Sequence, residues 1–351
     1  MKNTQLLKFF TSKKMRLCLS ILAIASISSH IPVIANAADK LTITSKPIDF
    51  SAVSPTQEIF DELLWRGGLV LESTHPQFGG LSGIELSANG KKMLAISDRG
   101  YWVKADVIYK NGRISGLTNS QIAPILDANG KKFVSWKADS EGLTKRNDSL
   151  SDVVISVERD QAIYRFKLGN NDLNARAMGW GTIKDAKKIS ANRGLEAITA
   201  LPKNHKYRGW MLVAAEHKLD KNKNHTAWLV NGKQNHELHI TRQGGYDITD
   251  LNYLPNGDIL LLERAISIFG GPQMQIRQIC GKDVKPGALI NGKPLLRASG
   301  IQAVDNMEGI AVHKAANGEV ILTIISDDNF HFLQRNLMLQ FALRNPASIC
   351  K

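Results

Sequence analysis

Glu308-Gly309-Ile310 is one of five copies of a short pattern, in which a polar residue stands inside an apolar run beside a small or acidic one. The others are Ser82-Gly83-Ile84, Glu141-Gly142-Leu143, Glu196-Ala197-Ile198 and Thr249-Asp250-Leu251, and the copies recur every 53 to 59 residues. Such a period marks a propeller or a solenoid. Each copy leads into a turn, three times through Asn-Gly (Asn89-Gly90, Asn256-Gly257, Asn317-Gly318), a dipeptide suited to tight hairpins whose central residues take positive φ. A second apolar run follows: residues 93–97, 153–157, 211–215, 259–262 and 320–326. Each run stops at an acid, namely Asp98, Glu158, Glu216, Glu263 and Asp327. The runs are too short for helices, rich in β-branched residues and apolar throughout, which predicts strands buried on both faces.

Third and fourth strands are predicted over 162–168 with 181–185, and over 226–230 with 237–241. Four antiparallel strands per repeat describe a propeller blade. The expected fold is therefore all-β, a five-bladed propeller. The last copy runs out of chain after 337–343, so Leu69-Val70-Leu71 is expected to supply its missing strand and close the ring. The segment 265–300 leaves room for a sixth, degenerate blade.

Ahead of the repeats, Lys2, Lys8, Lys13, Lys14 and Arg16 precede an apolar stretch from Leu17 to Ser28, and Ala35-Asn36-Ala37 follows. This is the order of a secretory signal peptide cleaved after Ala37. The stretch is too short to span a bilayer, which takes about 20 residues. The expected organisation is a signal peptide over 1–37, a lead-in over 38–64, the propeller over 65–345 and a tail over 346–351. The expected location is periplasmic or secreted, with no transmembrane segment in the mature chain. Export leaves Cys280 and Cys350 in an oxidising compartment, where they are expected to pair.

The formal charge is +13 for the whole chain. Without residues 1–37 it is +8, from 40 basic and 32 acidic side chains. That balance favours small anionic ligands such as phosphate esters, and it also suits the surface of an anionic membrane. Lys and Arg are scattered among acids, and with export this argues against nucleic acid as a partner. A monomer is expected. No Walker loop, dinucleotide fingerprint, zinc-type cysteine pair or nucleophile elbow occurs.

In a propeller the first strand of each blade lines the central channel, so Glu141, Glu196 and Glu308 would face a common axis, joined by Ser82 and by Thr249 or Asp250. Converging carboxylates raise one another's pKa unless a cation sits among them. Oxygen ligands of this kind suit Ca²⁺. The competing reading is that each acid is satisfied inside its own blade. Three second-strand acids precede arginine (Asp98-Arg99, Glu158-Arg159, Glu263-Arg264), which is either pairing between blades or a set of phosphate-binding guanidinium groups.

Phe78-Gly79-Gly80-Leu81-Ser82-Gly83-Ile84 with Ala95-Ile96-Ser97-Asp98-Arg99-Gly100, Asp247-Ile248-Thr249-Asp250-Leu251 with Leu261-Leu262-Glu263-Arg264, and Asn306-Met307-Glu308-Gly309-Ile310 resemble the phytase-like proteins described as having esterase-like activity of phytase. The resemblance covers roughly residues 65 to 345. It implies an exported propeller, usually of Gram-negative bacteria, with a phosphoesterase role. The Asp-rich segment ending in Pro-Ala of the calcium-dependent propeller phytases is missing, which speaks against phytate as the substrate.

The expected function is metal-assisted phosphate-ester hydrolysis. Glu141, Glu196, Asp250 and Glu308 would hold Ca²⁺, with the three glutamates also serving catalysis, and Arg99, Arg159 and Arg264 would clamp the anion. A propeller lactonase or carboxylesterase, and a non-catalytic ligand-binding protein of the envelope, are the alternatives.

Overall fold

The apolar second-strand runs become the middle of five antiparallel sheets in the computed structural model, which describes residues 38–134, 138–184, 189, 194–268 and 270–350. The expected signal peptide, residues 1–37, lies outside the described residues. The first blade orders Leu81–Leu86, Lys92–Ser97, Tyr101–Lys110 and Arg113–Pro124 from the centre outward, with Asp39–Lys40 added at the rim. The second uses Ser140–Arg146, Ser149–Val157, Ala162–Lys167 and Met178–Thr182. The third uses Leu195–Ala200, Met211–Leu219, His225–Asn231 and Gln234–Ile240, and the short strand Leu289–Ile290 pairs parallel at its edge. The fourth is Asp247–Tyr253, Ile259–Ser267, Gly271–Ile279 and Gly292–Ala298. Residues 265–300 thus complete the fourth blade instead of making a sixth, and the propeller has five.

The fifth blade takes Asn306–Lys314, Val320–Asp327 and Asn336–Leu343 from the end of the chain and Leu63–Glu72 from its beginning. Pairs such as Met338 with Leu69 and Leu343 with Leu63 close the ring, as the lack of a fourth strand in the last repeat required. Phe50, Trp65 and Phe341 stack at this seam with centroids 4.9 to 5.4 Å apart. The tail is tied to the fourth blade by the Cys280–Cys350 disulfide. Asp258 adds to the tie by accepting from Ile349 N at 2.8 Å and Ser348 Oγ at 2.8 Å.

Side chains alternate between the faces of a strand, so a strand between two neighbouring blades needs apolar residues at every position. Leu94 and Ile96 pack toward the second blade, while Met93 and Ala95 on the same strand pack toward the fifth. Five clusters fill the five junctions between blades. This is why the runs show no alternation.

The innermost strands contact one another in a closed ring, first to second and so on around to fifth against first. In four of the five copies a small residue (Gly83, Gly142, Ala197, Gly309) follows the key polar position and permits the approach. A Cβ on Gly83 would sit 2.8 Å from the Glu141 carbonyl oxygen, and one on Gly142 would strike that of Glu196. Cross-blade bonds reinforce the ring: Ser82 Oγ donates to the Ser140 carbonyl at 2.6 Å and Ser156 Oγ to that of Glu196 at 3.1 Å.

Candidate functional site

At the same place in every innermost strand the ladder slips. The pairing passes from Leu81 with Ser97 to Gly83 with Ile96, from Leu195 with Ala215 to Ala197 with Ala214, and from Met307 with Ser326 to Gly309 with Ile325. The second and fourth blades slip around Glu141-Gly142 and Thr249. A bulge of this kind re-aims the extra residue's side chain. The bulged residues are Ser82, Glu141, Glu196, Thr249 and Glu308, the repeat positions themselves. Each bulge lies at the N-terminal end of its strand, level with the end of the apolar run on the blade's second strand.

Among the described residues two carboxylate triads result, with ligand oxygens within 4.8 Å of one another: Asp139, Glu141 and Glu158, and Glu158, Glu196 and Glu216. Glu158 belongs to both. It accepts from Gly194 N at 2.9 Å and shares a side-chain hydrogen bond with Asp139. Glu308 belongs to neither triad, because Arg264 Nη1 holds it at 2.6 Å while Nη2 reaches Glu216 at 3.0 Å.

Burial dominates the electrostatics here. It pushes Glu158 up to about 7 despite the Gly194 bond, and Asp98 to about 7 with Asp327 as the next cause. Glu308 rises to about 8, with Arg264 opposing, and Asp327 to about 6. Glu141 and Glu196 are driven well above the ordinary carboxylate range, first by burial and then by Asp139 and Glu308 for the one, Glu141 and Glu308 for the other. Asp98 Oδ1 is buried and has no hydrogen-bond partner among the described residues. A set of adjacent acids that are costly to ionise together is chemically suited to a hard divalent cation, which takes several carboxylate oxygens and removes the repulsion.

Beside the first triad lies a cavity of about 350 Å³ lined by Asp98, Arg99, Lys132, Asp139 and Arg159 among others. The Arg159 side chain is 51% exposed and meets Asp139 at 2.7 Å. The Arg99 guanidinium lies 3.2 Å over the Phe330 ring. Two of the three predicted arginines therefore share one cavity at the acids. Arg264 does not join them, since its fork is taken by Glu308, Glu216 and Asn306.

Other sequence candidates go elsewhere. Asp250, expected among the metal ligands, is fully buried and accepts from Leu251 N and Ile310 N, both at 2.8 Å, so it stitches the fourth blade to the fifth. Glu263 binds Arg277 within its own blade at 2.5 and 2.7 Å. Ser82 and Thr249 point their hydroxyls at backbone carbonyls. Sequence reasoning gave too little weight to Glu158 and Glu216, which looked like blade-edge acids, and missed Asp139. The available signal for Asp139 was its place two residues before a repeat glutamate.

The phytase-like family, described as esterase-like activity of phytase, matches residues 76–330. No curated protein matches the chain. Among solved structures the chain is similar to the β-propeller domain of Cps50 (Swd1) from Myceliophteria thermophila, at 8% identity and a TM-score of 0.39, covering 84% of this chain and 99% of that one.

Proposed function

The chain belongs to the phytase-like family, and on that premise we propose that it is a metal-assisted hydrolase of small anionic phosphate esters acting in the cell envelope. The observation that carries the reading is the pair of carboxylate triads sharing Glu158 beside a cavity lined by three cations. Asp139, Glu141, Glu158, Glu196 and Glu216 are the residues that would hold Ca²⁺. The ion would neutralise these acids and polarise a phosphoryl oxygen.

The chain's own groups supply the rest. Arg99, Lys132 and Arg159 surround the cavity and fit an anion whose charge grows as the ester bond breaks. Glu158, which belongs to both triads, would be ionised as a ligand once a cation is held, so its role in this reading is to fix the ion beside the cavity.

The test is a panel of phosphomonoesters, phosphodiesters, acyl esters and lactones, assayed with Ca²⁺ and with chelator, on the wild type and Glu158→Gln. Ca²⁺-dependent turnover of a phosphate ester, lost in Glu158→Gln, supports the reading. Turnover confined to acyl esters or lactones replaces it with the carboxylesterase reading that the family's description also allows. No turnover of any member, with Ca²⁺ still bound, leaves a binding protein.

A further inference from the structure

Three of the five innermost strands carry a glutamate at their N-terminal end, and the opposite ends present a different chemistry. Between the ends, the buried pair Lys145 and Glu85, 2.9 Å apart, plugs the channel, and Lys145 also donates to the carbonyls of Leu86 and Val312. Asn252 adds a bond to Glu85 at 3.2 Å. Beyond this plug, the C-terminal ends of all five inner strands and the turns after them enclose a cavity of about 540 Å³. A strand advances about 3.3 Å per residue, so Arg146 on this rim stands roughly 16 Å along its strand from Glu141. The two mouths are separate sites.

The lining is cationic. Arg146, Lys203, Arg208 and Lys314 surround the opening, and Asp148 is the one carboxylate among the described lining residues. That acid is engaged by the Tyr253 hydroxyl. Arg146 is held by Asp152 at 3.3 Å and stacks over Trp180. Lys203, Arg208 and Lys314 are exposed and have no ion pair or side-chain hydrogen bond among the described residues. They come from different blades, the first two from the loop after the third blade's inner strand and Lys314 from the end of the fifth's. His313, 4% exposed, also lines the cavity, and its Nδ1 has no hydrogen-bond partner among the described residues.

We propose that this opposite mouth is a second binding site, for a phosphate-bearing anion. Three unpaired cations brought from two blades to one concave rim raise the local potential for a multivalent anion far more than the same charges spread over a surface. The arginine fork matches two phosphate oxygens, and the lysines act as point charges around it. The volume lies within the range of small-ligand sites. A free phosphate compound and an anionic lipid headgroup share this chemistry.

The site is tested on the folded, chelator-treated protein by calorimetric titration with pyrophosphate and by co-sedimentation with vesicles of phosphatidylglycerol in phosphatidylcholine. Wild type binds at least one probe in a salt-sensitive way. The triple variant Lys203→Glu, Arg208→Glu, Lys314→Glu binds roughly tenfold or more weakly, as expected where repulsion replaces attraction. Lys233→Glu, a charge reversal at the exposed turn between the third blade's two outer strands, binds as the wild type does. Pyrophosphate alone binding assigns a free phosphate compound, and vesicles alone assign a headgroup. Should the triple variant fold poorly, Arg208→Glu by itself must weaken binding. Absence of saturable binding to both probes, or equal binding by the variant, overturns the site.

Discussion

Arg264 Nη1 lies 2.6 Å from Glu308 Oε1, and the other arm of the same guanidinium reaches Glu216 at 3.0 Å. One cation thus bridges an inner-strand glutamate of the fifth blade and a second-strand glutamate of the third, from its own position on the fourth. The fourth blade carries Thr249 where its neighbours have glutamate, and Arg264 fills the electrostatic gap. Burial works against its charge, and Glu308, Glu196 and Glu216 outweigh that and keep the guanidinium protonated.

Removing that cation has a defined cost. Arg264→Met is expected to destabilise the chain by about 2 kcal/mol, the loss of charged hydrogen bonds in a partly exposed setting. Ca²⁺ is expected to restore part of it by replacing the missing charge. Thermal melts of both proteins with Ca²⁺ and with chelator give the answer, and an Arg264→Met melt identical to the wild type's would show the bridge to be idle.

The raised carboxyls make stability depend on pH. Folded Asp327, Asp98, Glu158 and Glu308 titrate near 6, 7, 7 and 8, against ordinary values of 3.8 for Asp and 4.5 for Glu. Across pH 4 to 8 the folded chain therefore keeps protons that the unfolded chain gives up. Stability then falls as pH rises through this window. Denaturant titrations at pH 5 and pH 8 in chelator should show the lower midpoint at pH 8, with Ca²⁺ narrowing the difference. A higher midpoint at pH 8 without metal would contradict the clustering of charge.

Neutralising one ligand separates metal binding from scaffolding. Glu196→Gln keeps the volume and removes a charge from the second triad, so the chelated protein should be as stable as the wild type or more so. At Ca²⁺ 100-fold above its dissociation constant, the wild type should gain about 2.7 kcal/mol, and the variant markedly less. Equal Ca²⁺ stabilisation of the two proteins would remove Glu196 from the site.

The channel plug is expected to be structural. Lys145→Met leaves Glu85 buried and unpaired, which should cost about 3 to 5 kcal/mol. Glu85→Gln in the same chain should recover much of it, because no buried charge is then left alone. The double variant's urea midpoint, set beside those of the single variants, measures the coupling; strict additivity would mean the pair does not interact.

The Cys280–Cys350 bond closes a loop of 70 residues. In the loop-entropy account such a closure stabilises by about 4 kcal/mol. Reduction, or Cys350→Ser, should lower the melting temperature and loosen the tail that Asp258 holds. An unchanged melt in reductant would show that the hydrogen bonds of Asp258 suffice.

By itself the sequence determined the blade unit and the closure of the ring, and the structure decided that residues 265–300 complete the fourth blade instead of adding a sixth. Strands packed between two neighbours must be apolar at every position, and the chain offers five such runs and one repeat without a final strand. It also marked Glu141, Glu196 and Glu308 as equivalent, because each occupies the bulge where an inner strand turns a side chain aside. Only the tertiary structure decided the partners. Asp250, next to a bulge, faces backbone N–H groups of its own and the adjoining inner strand, while Glu158 and Glu216, on second strands, reach the channel end with Glu196. Arg159 and Arg264 both follow a second-strand acid, yet one is half exposed beside Asp139 and the other is locked between two glutamates. Repeat position sets the level of a side chain along the channel. Which charge stands opposite it comes from roughly 20 to 50 residues away, in the same blade or a neighbouring one, and no local pattern carries that information.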